Sequence, residues 1–330
     1  MQNTPDFLLT IDDANITDNI KDRLIDLSLT DKRGLEADQL DLTLSDHDGQ
    51  INLPKRGVAI RCHLGWKDSP LVDKGSFTVD EIEHSGSPDK LVIRARSADI
   101  SAGLKQQKER SWHEKPLSEI IETIAGEHQL HPVITDSLKE VFIDHIDQTN
   151  ESDANLLSRL AELYDAIATI KNGALLMLPI GHSKTVSGLS LRPVTLTRQD
   201  GDSHRYAQAD RQSQYTGTQA HWDDKANAEK ASVIIGAEGT LKTLRKTYPN
   251  QRDAQAAAQA EWQRLQRGQQ SMDITLAYGR ADIIPESPIT LAGWKSPMDT
   301  THWIISEVRH SINDSGFTSQ IMLETRSNAG

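Results

Sequence analysis

The sequence predicts a mainly β chain of the α+β class, in which two strand-rich regions flank a mixed α/β segment. Apolar and polar residues alternate over about the first 100 residues, as in half-buried strands. Helical spacing of apolar residues follows, and alternation then returns to the end of the chain. With 330 residues, the chain has room for two or three domains of roughly 100–200 residues each. We therefore expect domains at 1–100, 101–190 and 191–330, with a helical insertion near 250–268 in the last.

Short alternating runs in the first region are typical of strands with one face buried. These runs are Phe7–Ile11, Leu24–Leu29, Leu40–Leu44, Val58–Leu64, Phe77–Ile82 and Leu91–Ala95. The sequence Asp46-His47-Asp48-Gly49 fits a tight turn, because Asp and Gly tolerate the backbone angles that turns need. About six strands in a region of this length favour a small barrel or a sandwich.

The middle region combines two helices with a hairpin. Leu117–Ala125 has apolar residues on one helical face, and Ser152-Asp153 supplies residue types that cap the start of a second helix. Further along, Asn172-Gly173 separates two apolar runs, which is a strong hairpin signal. The two runs are Ala166–Ile170 and Ala174–Leu178.

The last region is strand-like again, with turns at Asp200-Gly201 and Thr216-Gly217. Its alternating runs are Met272–Tyr278, Ile289–Leu291, Trp303–Val308 and Ser319–Glu324. A helix interrupts them, because Asn250 can cap its start and Gly268 can end it. The residues expected on its inner face are Ala254, Ala257, Ala258, Trp262 and Leu265. The pattern leaves open whether the two β regions arose by a distant duplication.

The composition excludes several classes of partner. The net charge of −12 and the pI of about 5.4 disfavour binding to nucleic acid or to anionic membranes. Cys62 is the single cysteine, so that no internal disulfide can form and folding in a reducing cytoplasm is favoured. Met1–Thr10 has no signal-peptide pattern, and no stretch reaches the ~18–20 apolar residues of a membrane span. We expect no membrane insertion.

Candidate metal sites in the sequence are weak. Aligned on Gly49, a calcium loop would place Leu44 and Lys55 at ligand positions that need oxygen side chains. His128 and His131 lie close together in sequence but lack a nearby third ligand. Cys62 stands in a strand-like run and is expected to be a small buried residue. The sequence therefore predicts no metal-binding and no cofactor-binding residues.

Candidate catalytic residues are equally weak. Nucleophile elbows and phosphate-binding glycine patterns do not occur. Two carboxylate pairs could in principle serve a glycosidase, but their spatial separation would decide it; they are Glu119/Glu122 and Asp144/Asp147. The tryptophans are expected to be core or interface anchors; the five considered are Trp112, Trp222, Trp262, Trp294 and Trp303. No catalytic residue is predicted.

Several long stretches resemble the late control protein D family of contractile-tailed phages, from about residue 6 to 326. They are Gly75–Ile82, Arg110–Leu117, Ile124–His128, His145–Asp153 running on to Ala166, Ala220–Trp222 and Gly316–Thr318. His145–Asp153 is the most specific of them. From its residues, Gln148–Asp153 is expected to form a polar turn and a helix cap.

The resemblance implies a homotrimeric hub at the centre of a tail baseplate, similar to the N-terminal hub part of VgrG in type VI secretion. Two tube-like β-barrels per subunit, joined by the mixed α/β domain, would give the trimer a pseudo-sixfold ring. That ring would join the sixfold tail tube to the threefold spike and leave a channel through which DNA passes without specific binding. No catalytic residue is carried over.

The expected partners are other copies of the chain, the tail spike protein, the tail tube protein and other baseplate proteins, with the tape measure protein as a further candidate. The expected locations are the virion tail baseplate and, during assembly, the bacterial cytoplasm. Two alternatives stay open: a peptidoglycan-degrading tail enzyme, and the hub of a related contractile secretion system or phage-derived particle.

Overall fold

The mainly β architecture is confirmed. The computed structural model describes residues 4–97, 102–171, 173–183, 190–208, 214–224 and 226–326. The described strands form one 13-stranded sheet and three smaller sheets, and the longer helices lie in the middle of the chain and in one insertion. The domain boundary expected at residues 100–101 lies outside the described residues.

The first strand-rich region forms what we call the N-terminal β module. Its strands are β1 (Pro5–Ile11), β2 (Ala14–Asn15), β3 (Leu24–Lys32), β4 (Gln39–Ser45), β5 (Ala59–Trp66), β6 (Val72–Ser85) and β7 (Lys90–Ser97). Apart from the two-residue β2, all of these strands contribute side chains to one core. Helix α1 (Thr17–Ile20) and a 3₁₀ turn (Lys21–Arg23) lie between β2 and β3.

The middle region is a mixed α/β segment with its own core. Its strands are β8 (Gln107–Pro116), β9 (His131–Ile134), β10 (Phe142–Ser152), β11 (Ala166–Lys171) and β12 (Ala174–Pro179). Its helices are α2 (Leu117–Glu127), α3 (Asp136–Lys139), α4 (Asp153–Leu163) and a 3₁₀ turn at Ala102–Lys105. Both predicted helices and the predicted hairpin β11–β12 are confirmed; Asn172 of its turn lies outside the described residues.

The last region contains a second module and an insertion. The C-terminal β module consists of β13 (Val194–Thr197), β14 (Gly201–Gln208), β18 (Gln270–Leu276), β19 (Pro288–Ala292), β20 (Trp303–Asn313) and β21 (Gly316–Thr325). The insertion consists of β15 (Gly217–Asp224), β16 (Glu229–Gly236), β17 (Leu241–Tyr248) and α5 (Gln251–Arg267). As predicted, Asn250 caps α5 by accepting a hydrogen bond from Asp253 N, at 2.8 Å.

The predicted inner face of α5 is largely confirmed, because Ala254, Ala257, Ala258 and Leu265 are buried. Trp262 is half-buried. Ala254 and Ala258 pack on the small three-stranded sheet β16-β15-β17. The short Ala side chains let the helix lie close to the sheet, and Thr218 Oγ1 donates to the Ala258 carbonyl oxygen at 2.7 Å.

The two β modules do not close into separate barrels in the described part of the chain. Their strands run edge to edge as a single path, β14-β18-β21-β20-β3-β4-β7-β6-β5-β1-β2, with β19 and β13 branching from β20. The physical reason is that the second half of β20 pairs with β3 of the other module. Each module is therefore a sheet rolled around its own core and left open.

Candidate assembly surface

The two β modules have the same strand order. Read across the sheet, the N-terminal module runs β1-β5-β6-β7-β4-β3, and the C-terminal module runs β13-β19-β20-β21-β18-β14. Each strand in one series has the same rank along the chain as its counterpart in the other. The pairings agree in direction except at the first strand, since β1 is antiparallel to β5 whereas β13 is parallel to β19. The possible duplication is thus visible in the topology.

The equivalence extends to individual residues. Bulges interrupt β6 between Val79 and Glu81, and β20 between Ile305 and Glu307. Superimposing these bulges makes Phe77 equivalent to Trp303, and both are buried at 1% exposure. A second pair of bulges lies between Leu24 and Asp26 in β3 and between Gly201 and Ser203 in β14. These bulges fix the registers of the two modules independently of any sequence identity.

A short repeat in the sequence could have revealed this duplication. Leu40-Asp41-Leu42-Thr43-Leu44 of β4 and Met272-Asp273-Ile274-Thr275-Leu276 of β18 occupy equivalent register positions. Asp, Thr and the final Leu are identical, and the other two apolar residues are replaced by apolar residues of similar size. Five residues of alternating pattern recur by chance in β proteins, so the repeat gains its meaning only from the shared strand order.

The two modules meet at what we call the internal seam, the antiparallel pairing of β3 with β20. It runs from Lys32 opposite Glu307 to Asp26 opposite Asn313. On its polar face, Arg309 Nε donates to Ser28 Oγ at 2.9 Å. On its other face, the core of the N-terminal module includes Ile312 and Phe317 of the C-terminal module. Backbone pairing and a shared core thus join the modules firmly.

Further contacts on both sides of the seam reinforce it. Arg33 forms ion pairs with Glu286 and Glu324, each at 2.5 Å. Trp66 Nε1 donates to the Gly279 carbonyl oxygen at 2.9 Å. A Cβ at residue 279 would lie 2.4 Å from the Phe317 ring, so glycine permits this close approach.

A buried group of charges lies behind the seam and lines a cavity of about 360 Å³. Lys74 lies 3.9 Å from Asp31 and donates to the Ala281 carbonyl oxygen at 3.2 Å, while Lys171 pairs with Asp38 at 2.5 Å. Burial and the neighbouring Asp31 raise the pKa of Asp38 to about 6, although Lys171 opposes this. Since the lysines and carboxylates neutralise one another, the group is best explained as a joint between β modules and middle segment.

Two of the unpaired strand edges in the described ranges belong to strands whose equivalents form the internal seam. β14 ends the sheet, with β18 on its one paired side. β6 pairs with β5 through Thr78, whereas Glu81 to Ser85 pair with β7 alone. We call Glu81–Ser85 the distal half of β6. Unpaired edges of this kind are ready templates for another strand.

The family-like stretch His145–Asp153 forms a structural cluster around Asp153. Its carboxylate is fully buried and accepts hydrogen bonds from Lys108, Arg110 and His128 at 2.6, 2.6 and 2.8 Å, and from Gln148 at 2.9 Å. Burial by itself raises the pKa of Asp153, but the hydrogen bonds from His128, Lys108 and Gln148 outweigh it and hold that pKa below its usual value.

The expected cap at this stretch is confirmed, while the expected turn is wrong. Ser152 Oγ accepts a hydrogen bond from Asn155 N at 3.2 Å and so caps α4. Gln148 to Ser152 belong to β10, which bulges between Gln148 and Glu151 and has Asn150 at φ +48°. The polar composition resembled a turn, but the pairing with β8 and the buried Asp153 keep the segment extended.

Glu127, His128 and Asp153 offer ligand atoms close enough to one another for a metal ion. The donor set argues against one, because both Glu127 and Asp153 already bind the cationic groups of Lys108 and Arg110. A metal ion would have to displace those groups or lie beside them. The cluster is therefore complete as an ion-pair network. His131, the other histidine considered, is exposed in β9.

Three of the four candidate catalytic carboxylates bind neighbouring side chains. Asp144 accepts from Arg252 Nη2 at 2.6 Å and thereby links β10 to α5. Asp147 accepts from Ser111 Oγ at 2.5 Å. Glu119 of α2 forms an ion pair with Lys115, four residues earlier near the end of β8. Glu122 is exposed on α2.

Of the remaining candidates, Cys62 is fully buried, and burial raises the pKa of its thiol to about 12. Asp46-His47-Asp48-Gly49 forms the predicted turn, closed by a hydrogen bond from Gly49 N to Asp46 O at 2.9 Å. Among the tryptophans, Trp112, Trp294 and Trp303 are buried, whereas Trp222 and Trp262 are half-buried. Among the helices of the described ranges, none has the length and apolar character needed to cross a membrane.

Comparisons with solved structures agree with this architecture. A 43 kDa tail protein of prophage MuSo2 from Shewanella oneidensis aligns over 96% of this chain and 97% of its own, with 17% identity and a TM-score of 0.69. A tail protein from Neisseria meningitidis aligns over 97% and 96%, with 11% identity and a TM-score of 0.68. A component of the Escherichia coli type VI secretion system aligns over 97% and 77%, with 12% identity and a TM-score of 0.59. These likenesses concern the fold.

Sequence comparison identifies the family. A probable baseplate hub protein of Escherichia phage 186 is 42% identical, with 98% of this chain and 93% of that protein aligned. A probable baseplate hub protein of Escherichia phage P2 is 41% identical, with 98% and 94% aligned. The model of the family described as phage tail baseplate hub (GPD) matches residues 25–316. The chain therefore belongs to the phage tail baseplate hub family.

Proposed function

We propose that three copies of this chain close into the hub ring of a contractile tail baseplate, between the sixfold tail tube and the threefold spike. The observation that carries the proposal is the pair of β modules with one strand order in a single chain. Three copies contribute six such modules, so that each of the six subunits in a ring of the tail tube can contact one module. The three copies are also related by the symmetry that a threefold spike requires.

The proposed domain division follows from the same modules. Residues 1–100 and 191–330 would supply the two tube-like units, the second with its insertion, and residues 101–190 would connect them. The two modules and the middle segment each have a core cluster of their own, and only a few C-terminal side chains enter the N-terminal core, which supports this division. The internal seam supports it as well, because it places the two units side by side in one sheet.

We propose that the polar face of the long sheet lines a channel for DNA. The core-facing residues of each strand alternate with polar ones on the opposite face. Acidic residues on that face include Asp26, Asp41, Glu81, Glu83, Asp273 and Glu307. Arginines lie among them, and Arg94 binds both Glu81 and Glu83. Mixed charges without an excess of cations would let DNA slide with little binding.

The proposed partners are the tail spike and tail tube proteins, other baseplate proteins and the tape measure protein. The chain would be assembled in the bacterial cytoplasm and then reside in the virion. We propose that its role involves no catalysis, since three of the four carboxylates that could have served a hydrolase instead bind Arg252, Ser111 and Lys115.

The test is the mass of the protein with and without the spike protein of the same phage, by native mass spectrometry or sedimentation. We expect a trimer with the spike, seen as a six-part annulus in averaged electron micrographs. A stable dimer under both conditions, or an annulus with another number of parts, would contradict the ring. Robust clearing of purified cell walls would contradict the proposal that the role is non-catalytic.

A further inference from the structure

We propose that the distal half of β6 pairs antiparallel with β14 of a second copy of this chain, in the register that β20 and β3 adopt at the internal seam. The proposal rests on the trimeric ring proposed above and specifies how its copies join. β6 and β20 are equivalent strands of the two modules, and so are β14 and β3. One member of each pair is used within the chain, and the other is left with an unpaired edge.

The internal seam fixes the register of the proposed contact. Within the chain, Arg309 lies opposite Thr30, His310 opposite Leu29 and Ser311 opposite Ser28. The bulges make Glu83, His84 and Ser85 equivalent to these three residues of β20. Likewise, the residues of β14 equivalent to Thr30, Leu29 and Ser28 are Ala207, Tyr206 and Arg205. Glu83 would therefore lie opposite Ala207, His84 opposite Tyr206 and Ser85 opposite Arg205.

Two core-facing side chains in the distal half of β6 are more exposed than their equivalents in β20, as expected if a covering strand is missing beside β6. His310 is fully buried because β3 covers the edge of β20. Its equivalent His84 has a side chain that is 40% exposed and is bound to Asp46. Val308 is fully buried, whereas its equivalent Ile82 is half-buried. A strand added beside β6 would cover Ile82 and His84, just as β3 covers Val308 and His310.

Charge complementarity selects the same pair of strands. At the internal seam, Arg309 lies directly opposite Thr30 but donates a hydrogen bond to Ser28, its diagonal neighbour on the same face of the ladder. The same diagonal in the proposed contact joins Glu83 to Arg205, which are opposite in charge and on the same face. Arg205 is exposed and has no ion-pair partner within the described ranges. Glu83 shares Arg94 with Glu81.

The contact also has the symmetry that a ring needs. It joins β6 of one copy to β14 of the next, so the two surfaces differ and the contact repeats head to tail. Internal seams and the proposed contacts between copies then alternate around the ring, with a β module on each side of every junction. Because both kinds of junction would have one register and one strand direction, successive modules would be related by similar rotations.

Charge reversal tests the proposed pair. We expect Glu83→Arg and Arg205→Glu each to raise the concentration needed for half-assembly at least roughly tenfold, since like charges then face each other across the ladder. The double variant Glu83→Arg/Arg205→Glu should restore assembly. As matched controls, Glu229→Arg and Arg245→Glu reverse exposed charges on the insertion and should leave assembly unchanged. Mass photometry under conditions that give the wild-type trimer provides the readout.

Cysteine cross-linking tests the register separately. In a Glu83→Cys/Ala207→Cys variant, a short bis-maleimide should join neighbouring copies into covalent dimers and trimers, whereas Glu83→Cys/Arg245→Cys should not. A wild-type trimer that survives both single charge reversals and gives no cross-link would overturn the strand pairing while leaving the ring intact. Failure of the wild-type protein to form a trimer with its spike would instead overturn the ring itself.

Discussion

At the residue scale, the buried carboxylate of Asp153 holds together a cluster of four other side chains. Lys108, Arg110, a histidine and an amide converge on it. The sequence identified this stretch as the most family-like part of the chain and predicted its cap. The sequence could not predict which residues would supply the positive charges. Lys108 and Arg110 lie on β8, and the pairing of β8 with β10, which no local pattern records, brings them beside Asp153.

Replacing Asp153 by Asn should destabilise the protein by about 2–4 kcal/mol, because it removes the buried counter-charge of two partly buried cations, Lys108 and Arg110. Glu127→Gln is the matched control, since Glu127 binds the same two cations but its side chain is 38% exposed. That change should cost less than about 1 kcal/mol. Chemical denaturation of both variants measures the difference, and equal losses would show that burial of Asp153 is not the cause.

His310 should make stability depend on pH. Burial lowers its pKa well below the ordinary value of 6.5, so the unfolded chain binds a proton that the folded chain does not. Its contribution is fully present above about pH 6.5 and is lost as pH falls below that value. Between pH 7.5 and 5.5 the loss should be about 1–1.5 kcal/mol.

The comparison that isolates this effect is between the wild type and His310→Gln. The raised pKa of Asp38 acts in the opposite direction at lower pH, but it is common to both proteins. Denaturation midpoints at the two pH values should therefore fall further in the wild type than in the variant. A pH dependence that His310→Gln leaves unchanged would assign the effect to other groups.

At the scale of the element, strands with clear alternation and helices with clear caps were predictable from the sequence. All six predicted strands of the N-terminal module and the helices α2, α4 and α5 are present. The strands β8 and β10 were missed, because their mostly polar and exposed residues give little alternation. Pairing with each other and packing on the helices of the middle segment make them strands.

The cap of α5 provides a test at this scale. Asn250→Ala removes the hydrogen bond to Asp253 N and the contact of the Asn250 side chain with Asp144. We expect a loss of about 1 kcal/mol, seen as faster hydrogen exchange in α5. Gln251→Ala, at the next and exposed position, should leave exchange nearly unchanged or slow it, because Ala favours the helix. Similar exchange in both variants would mean that packing on β15–β17 alone holds the helix.

At the scale of the whole molecule, the strand order and the internal seam lay beyond prediction from the residues. The pairing of β3 with β20 joins segments almost as far apart as the chain allows, and no local pattern records such a choice. Alternation fixed which face of each strand is buried, but it did not specify the neighbour. The resemblance to a known family supplied the expectation of two similar units that the residues alone left open.

Hydrogen exchange on the isolated chain should separate the two kinds of strand edge. Amides of residues 26–32 and 307–313, within the internal seam, should exchange more slowly than those of residues 203–208 and 81–85, which lie on unpaired edges. Mass spectrometry of proteolytic peptides resolves these segments. Equal rates in the four segments would contradict the seam as the stable joint of the molecule.

The insertion β15–β17 with α5 occurs in one β module and not in the other. It occupies the link between β14 and β18, whereas the equivalent link between β3 and β4 spans only residues 33–38. Six similar units arranged in a circle would therefore carry bulky appendages on alternate units. Neighbouring proteins that bind only the features common to all six units would contact a ring with six repeats, whereas proteins that bind the appendages would contact a ring with three. In the proposed ring, one polypeptide would thus encode both periodicities, by elaborating a single loop in one of two modules with the same strand order.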